Sequence, residues 1–222
     1  MKLCRVFLVL NLFMLSAYAD DLNLPDLRTA ATEGDMNAQF QLAAAYDFGH
    51  GVAQDQAEAA KWYRKAAEQG HAEAQNSLGS LYQAGQGVDQ DYELAVRWYE
   101  AAIAQELPGA FNNLAYMYDL GLGVPEDDSR AASLYEKAAE GGEIKAMLNL
   151  GIMYAEGTGV TKDNGQAYMW LDLARFYTQR TKDMDLKWHI RRVMEHYTKA
   201  MTRKEKKSGK KLARDWDQAH SP

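Results

Sequence analysis

Ser208 and Lys211 have the S-x-x-K spacing, in which a lysine one helical turn away activates a serine nucleophile. Enzymes that use this pair also carry S-D-N and K-T-G elements, and neither element occurs in this sequence. The pair lies in a lysine-rich stretch, where such a spacing arises easily by chance. We therefore expect no catalytic serine at this position.

Two histidines and a glutamate near the C-terminal end are the closest approach to a metal site. His189 and His196 are seven positions apart and would share one helix face, with Glu195 beside them. The sequence contains no H-E-x-x-H or comparable ligand spacing. We expect surface histidines and neither a metal nor another cofactor.

Other residue types that carry chemistry are also sparse. The single cysteine, Cys4, lies in residues 1–19, which we expect to be cleaved off as described below, so the mature chain would have no thiolate. The G-x-G turns, such as residues 49–51, are not followed by the Gly-Lys-Ser/Thr of a phosphate loop. The acidic run at 126–128 lacks the ligand spacing of a calcium loop. The sequence predicts a protein that is not an enzyme.

The first residues have the composition of a secretory signal peptide. Lys2 and Arg5 give a basic start, residues 6–15 are largely apolar, and residues 17–19 read Ala-Tyr-Ala. The apolar run is about half the ~20 residues that a membrane-spanning helix needs. We expect cleavage of residues 1–19 and export to the periplasm or beyond it; an uncleaved anchor is the alternative.

Charge is unevenly distributed along the expected mature chain. Residues 20–174 carry 9 basic and 25 acidic side chains, whereas residues from Arg175 onward carry 14 basic and 6 acidic ones. The basic residues near the end are either a solvated helix face or a docking stripe for lipid headgroups or an acidic protein. Nucleic acid is not expected as a partner, because the body is acidic and the chain carries an export signal. The stripe comprises Lys204, Lys206, Lys207, Lys210, Lys211 and Arg214.

The dominant feature of the sequence is a repeat with a period of 36 residues. In each copy an alanine, a leucine and a tyrosine four positions apart share one helix face, and a Gly-x-Gly-Val turn follows. A second helix follows the turn and carries alanines on both sides of an aromatic or leucine position. The recurring positions are Ala38, Ala74, Ala110, Ala146; Leu42, Leu78, Leu114, Leu150; Tyr46, Tyr82, Tyr118, Tyr154; and Trp62, Trp98, Leu134, Trp170.

The period predicts the domain organisation. Residues 20–37 contain half a unit that would cap the N-terminal end, and residues 38–175 contain four units. Residues 176–222 are expected to form basic C-terminal capping helices and a tail, the last helix starting at a Thr202–Glu205 capping box with Leu212 and Trp216 buried. The four units are 38–73, 74–109, 110–145 and 146–175.

The combination A-x-x-x-L-x-x-x-Y-x-x-G-x-G-V and A-x-x-W-Y-x-x-A-A resembles the Sel1-like repeat, a relative of the tetratricopeptide repeat. The resemblance implies an all-α fold, a right-handed α/α superhelical solenoid, and a role as an adaptor in protein complexes. Some cysteine-rich relatives are described as penicillin-binding or β-lactamase-like. The cysteine framework of those relatives is absent here.

A partner is expected on the concave side, which the first helix of each repeat lines in solenoids of this type. The residue before each repeated leucine is polar, and neighbouring amides extend this row. These groups would either hydrogen-bond a partner's backbone or hold neighbouring helices, and Tyr116, Met117 and Met153 would add adaptable apolar contacts. The candidate polar positions are Gln41, Asn76, Ser77, Asn112, Asn113 and Asn149.

Three functions follow as hypotheses. The first is a periplasmic scaffold that binds a protein or peptide without catalysing a reaction. The second is a β-lactamase-like enzyme acting on cell-wall material, and the third is a secreted factor acting on host proteins.

Overall fold

The computed structural model describes residues 24–220, and the expected signal peptide lies outside this range. All regular secondary structure in these residues is α-helical, which confirms the predicted all-α fold. None of the helices in this range is long and apolar enough to cross a membrane. The helices are α1 (Leu24–Glu33), α2 (Met36–Phe48), α3 (Gln56–Glu68), α4 (Ala72–Ala84), α5 (Tyr92–Ile103), α6 (Pro108–Leu120), α7 (Asp128–Glu140), α8 (Ile144–Glu156), α9 (Asn164–Thr178), α10 (Met184–Thr198) and α11 (Arg203–His220).

The described chain forms two compact units. The N-terminal unit contains residues 24–113 and 122–125, and the C-terminal unit contains residues 114–121 and 126–220. In the N-terminal unit each helix from α1 to α4 packs against the next. In the C-terminal unit α7 packs on α8 and α8 on α9. The helix-turn-helix arrangement expected from the period is therefore present in each unit.

Aspartates start the second helix of every repeat. The Oδ1 atom of Asp55 accepts a hydrogen bond of 3.0 Å from the backbone N–H of Glu58, which satisfies a donor that has no partner inside the helix. Asp91 and Asp127 cap α5 and α7 in the same way, each with a bond of 2.9 Å. The acidic residues of the turns therefore act as helix caps.

The two glycines of each turn have different structural roles. Gly85 ends α4 in the left-handed region at φ 67°, as expected for a helix C-cap. Gly87 is also left-handed, and it lies against the start of α3: a Cβ atom added there would be 2.2 Å from the backbone carbonyl of Gln56. Gly159 lies in the same way against Asp128 in the C-terminal unit. The second glycine thus allows one repeat to approach its neighbour.

The core is built largely from alanines and tyrosines. The largest fully buried side chains include Tyr63, Tyr99 and Tyr135, one in each of three repeats. The repeated leucines are buried as expected, with Leu42 only 1% exposed. The repeated tyrosines near the end of each first helix differ in burial. Tyr82 and Tyr118 are buried, whereas Tyr46 and Tyr154 are half-buried.

The joint before α6 departs from the glycine pattern, as the sequence indicates. Glu106 has φ 58° and is the only non-glycine residue with positive φ among those described. It occupies the position that Gly34, Gly70 and Gly142 fill elsewhere. Pro108 follows as the first residue of α6, where its missing N–H removes no helical hydrogen bond.

Two helices end the C-terminal unit. The expected capping box of α11 is confirmed: Thr202 donates through its backbone N–H and its hydroxyl to Glu205 Oε2, each at 2.6 Å. Helix α11 packs against α9, with Gly209 beside Tyr168. The prediction that Leu212 and Trp216 would be buried is wrong, because both are half-buried and the buried positions are Gly209 and Ala213.

Candidate functional site

Two predicted amides meet in the N-terminal unit. Asn113 Nδ2, in the first half of α6, donates a hydrogen bond of 2.9 Å to Asn76 Oδ1 on α4. Both side chains are half-buried. Between Ala74 and Gln83 every residue of α4 except Asn76 is buried, so Asn76 is the point at which the middle of this helix meets solvent. Gln41 on α2 is exposed.

Three of the predicted polar positions lie in the protein interior. Ser77 is 4% exposed and hydrogen-bonds Tyr63, and Asn112 is 8% exposed and donates to Asn113 Oδ1 at 3.3 Å. Asn149 is 1% exposed, and neither atom of its amide has a hydrogen-bond partner among the described residues. Burial removes all three from a partner's reach, and Ser77 takes the alternative role of joining two helices, because its bond to Tyr63 connects α4 to α3.

The apolar positions expected beside the amides also differ from one another. Tyr116 is half-buried and keeps some accessible surface. Met117 and Met153 are completely buried, so the expectation that they would offer adaptable contacts to a partner is wrong. Their flexible side chains fill the core, which is the more common use of methionine.

Buried glutamines connect helices in a way that the sequence analysis missed. Gln39 Nε2 donates to the backbone oxygen of Ala31 at 3.1 Å, and Gln39 Oε1 accepts a bond of 2.7 Å from Gln69. The same arrangement recurs at Gln75, which donates to Ala67 O and accepts from Gln105. The signal was the Ala-Gln pair at 38–39 and 74–75.

Each buried tyrosine of the N-terminal unit has a polar partner on the preceding helix. The hydroxyl of Tyr63 is 3.4 Å from Asp47 Oδ2, and the hydroxyl of Tyr99 donates to Gln83 Oε1 at 2.5 Å. Burial raises the pKa of Asp47, although its hydrogen bond with Tyr63 opposes the shift. Burial also raises the pKa of Tyr63 well above its usual value. These pairs satisfy buried polar groups and hold the two helices of a repeat in register.

Two exposed arginines of the N-terminal unit each pair with a repeated tyrosine. Arg28 Nη2 donates to the hydroxyl of Tyr46 at 3.0 Å, and its guanidinium lies over the tyrosine ring at 5.9 Å from the centroid. Arg64 makes the same pair with Tyr82 one repeat later. Each guanidinium has five N–H donors, so these bonds leave donors available at the surface.

A model of the Sel1 repeat matches this chain four times, at residues 37–71, 72–107, 110–143 and 144–175. The chain belongs to the Sel1 repeat family. Sel1 repeats generally mediate protein–protein interactions and are generally not catalytic.

Solved structures support this assignment. The chain is similar to a Sel1 repeat protein from Oxalobacter formigenes, with 30% identity and a TM-score of 0.71; the match covers 88% of this chain and 74% of that protein. It is also similar to c5321, a protective antigen present in uropathogenic Escherichia coli strains and displaying an SLR fold. That match has 31% identity and a TM-score of 0.63, and covers 85% of this chain and 48% of that protein. No curated protein matches the sequence.

The remaining candidates of this Sel1 repeat protein lie on its last two helices: His189, Glu195 and His196 on α10, and the serine–lysine pair and basic stripe on α11. Ser208 and Lys211 are exposed, and the described residues contain no group of three or more His, Cys, Asp or Glu side chains able to hold a metal. The basic stripe faces solvent apart from Lys206, which is half-buried. The exposed members are Lys204, Lys207, Lys210, Lys211 and Arg214.

Proposed function

We propose that this Sel1 repeat protein is a non-enzymatic scaffold of the periplasm that binds a protein or peptide through the first helices of its repeats. The observation that carries the proposal is the Asn76–Asn113 hydrogen bond, which brings two amides from neighbouring repeats to the surface together. The membership in an interaction family supports it.

The two amides suit recognition of an extended backbone. Each carboxamide has two N–H donors and an oxygen acceptor, and the single bond between the pair leaves further N–H groups for a ligand. Because Asn76 is the only residue of α4 between Ala74 and Gln83 that is not buried, a partner lying along this helix meets its amide first. The exposed Gln41 offers the same chemistry on α2.

Export is part of the proposal and rests on the sequence of residues 1–19. Cell fractionation with detection of the processed chain tests it. Recovery in the cytoplasm with residues 1–19 still attached would reject a periplasmic role, and recovery from the culture medium would favour the secreted alternative.

Photo-crosslinking in living cells tests the binding surface. A photoreactive amino acid replaces Gln41, and the matched control places it at Lys61, an exposed residue of α3. We expect defined adducts at position 41, identified by mass spectrometry, that weaken when Asn76 is changed to Ala. Adducts of equal yield at position 61, or adducts unaffected by Asn76→Ala in a variant that still melts cooperatively, contradict the proposal.

The non-enzymatic part of the proposal is tested by a nitrocefin assay and by labelling with a fluorescent penicillin. We expect no turnover and no labelling. Turnover that is abolished in Ser208→Ala would instead establish the β-lactamase-like alternative.

A further inference from the structure

Helix α10 presents two unlike faces. On one side Ile190 and Val193 are buried, and Met194 and Tyr197 pack against the apolar cluster that contains Tyr168. The opposite side carries Met184, which is 70% exposed, and Trp188, which is 59% exposed. Arg191 and Arg192 lie one turn further along the same side, Glu195 two turns further, and Lys199 three turns further, just after the last residue of α10; all four are exposed.

The orientation of α10 is fixed by contacts at both ends. Asp183 caps the helix by accepting from the backbone N–H of Leu186 at 2.8 Å, and Lys187 Nζ donates to Thr181 O at 2.7 Å. Near the other end the hydroxyl of Tyr197 donates to Glu156. Trp188 therefore cannot turn into the core without breaking these bonds, and its exposure is a property of the folded unit.

We propose that the exposed face of α10 binds the headgroup region of an anionic phospholipid membrane. Trp188 supplies an aromatic ring with a polar edge, the type of side chain that settles at the boundary between headgroups and acyl chains. The Arg192 guanidinium lies 4.9 Å from the centre of that ring, so a phosphate bound by Arg192 would be adjacent to the indole. Exposed Met184 adds apolar surface on the same side.

Charge favours an anionic surface over a neutral one. Residues from Arg175 onward carry 14 basic and 6 acidic side chains, whereas residues 20–174 carry 9 basic and 25 acidic ones. The exposed basic stripe of α11 follows α10 directly in the chain and adds to the positive potential of this end. An anionic bilayer would be attracted by this end and repelled by the acidic repeats.

The shape of the face favours a bilayer over an acidic peptide. The open depression beside Trp188 is lined by residues of α10 and by Lys199, which directly follows it, without a wall from a second helix. Peptides are usually held in grooves between elements, where several donors converge. A single exposed helix face with an aromatic anchor and surrounding cations fits a planar surface.

Vesicle flotation tests the proposal with the chain beginning at Asp20, because the apolar residues 6–15 would themselves bind lipid. We expect the protein to float with vesicles of phosphatidylglycerol and phosphatidylcholine, to stay unbound with phosphatidylcholine alone, and to dissociate at high salt. The variant Arg191→Ala/Arg192→Ala should bind roughly tenfold more weakly or worse. Trp188→Ala should also bind more weakly.

The matched control is Lys61→Ala/Arg97→Ala, which removes two exposed cations from the N-terminal unit and should bind vesicles like the parent. Thermal melting of each variant shows whether it is folded. Absence of flotation with phosphatidylglycerol, equal loss in the control, or binding of polyglutamate to the α10 face without vesicle binding overturns the proposal. Crosslinking from position 41 should persist in the α10 variants. A negative result for membrane binding can therefore be told apart from a negative result for the scaffold function.

Discussion

Gly87 lies against the backbone of Gln56, so close that any side chain at position 87 would overlap the Gln56 carbonyl group. Gln56 is the first residue of α3, and Gly87 belongs to the turn that follows α4. The turn of one repeat is thus seated on the start of the second helix of the preceding repeat. At this contact the two repeats are too close to admit a side chain.

Replacing Gly87 with alanine should destabilise the protein strongly. The added Cβ would lie 2.2 Å from backbone atoms of Gln56. The alanine would also have to adopt the left-handed φ of 69° that the glycine has now. Together these effects should lower the free energy of unfolding by about 3 kcal/mol or more. Gly70 is the matched control, because it is left-handed at φ 98° with nothing within 4 Å of an added Cβ. Gly70→Ala should cost about 1 kcal/mol, and equal losses in urea unfolding would refute the contact argument.

Replacing Glu106 with glycine should stabilise the protein. Glu106 holds φ 58°, a conformation that costs a residue with a Cβ about 1 to 2 kcal/mol, whereas glycine adopts it freely. Glycine loses more backbone entropy on folding, so a net gain of about 1 kcal/mol is expected. Glu106→Ala keeps the Cβ and should gain nothing. If alanine stabilises as much as glycine in chemical denaturation, loss of the carboxylate and not backbone strain is responsible.

His71 should make the stability of the N-terminal unit depend on pH. Its Nδ1 atom caps α4 by accepting from the backbone N–H of Ala74 at 3.3 Å, which requires the neutral ring. Burial lowers the pKa of His71, and the nearby Glu73 opposes that shift. The folded pKa thus lies below the unfolded value of 6.5, so this contribution is complete above pH 6.5 and is lost as the pH falls below it.

His71→Asp tests this prediction, because an aspartate caps the helix without titrating in this window. Urea unfolding on both sides of pH 6.5 should show a smaller loss of stability on acidification in the variant than in the parent. Parallel pH profiles would exclude a role for His71. Phe40, whose ring stacks on His71 with centroids 4.5 Å apart, remains in both proteins.

Glu205 should anchor the start of α11 down to unusually low pH. Hydrogen bonds from the Thr202 side chain and from Asn164 lower the pKa of Glu205 to about 2. Because the folded pKa is depressed, the contribution is present above about pH 4.5 and is lost as the pH falls from there towards 2. The protection of the amides at the first turn of α11, measured as the exchange rate relative to the intrinsic rate at each pH, should fall across that range in the parent. Glu205→Gln should give weaker protection throughout and lack this fall; an identical protection profile would contradict the prediction.

The fold was predictable because the period fixes which residues share a helix face. The alanines and Leu42 are buried as the spacing indicates. The spacing does not predict, however, how completely each side chain is buried. Trp62 occupies a recurring aromatic position and is 9% exposed, whereas the neighbouring Tyr63 is fully buried.

The candidate site was less predictable, because its chemistry depends on contacts between repeats. Asn113 and Ser77 occupy equivalent positions, but one is half-buried and bonded to Asn76, while the other is buried against Tyr63. The polar partner of the buried tyrosine differs between repeats, being Asp47 for Tyr63 and Gln83 for Tyr99, so these partners do not show as a conserved position of the repeat. Gly209 lies inside α11, where glycine is usually unfavourable. The structure explains it by the close approach of Tyr168.

Gly87 resting on Gln56, and Gly123 resting in the same way on Tyr92, give each repeat a standard coupling at either end. A duplicated block of 36 residues would carry both parts of this contact, the second glycine of the turn and the start of the second helix. It would therefore pack against its neighbours without changes to either of them. Such a chain can lengthen or shorten by whole modules during evolution. Engineers can use the same joint to graft a repeat with new surface residues between existing ones.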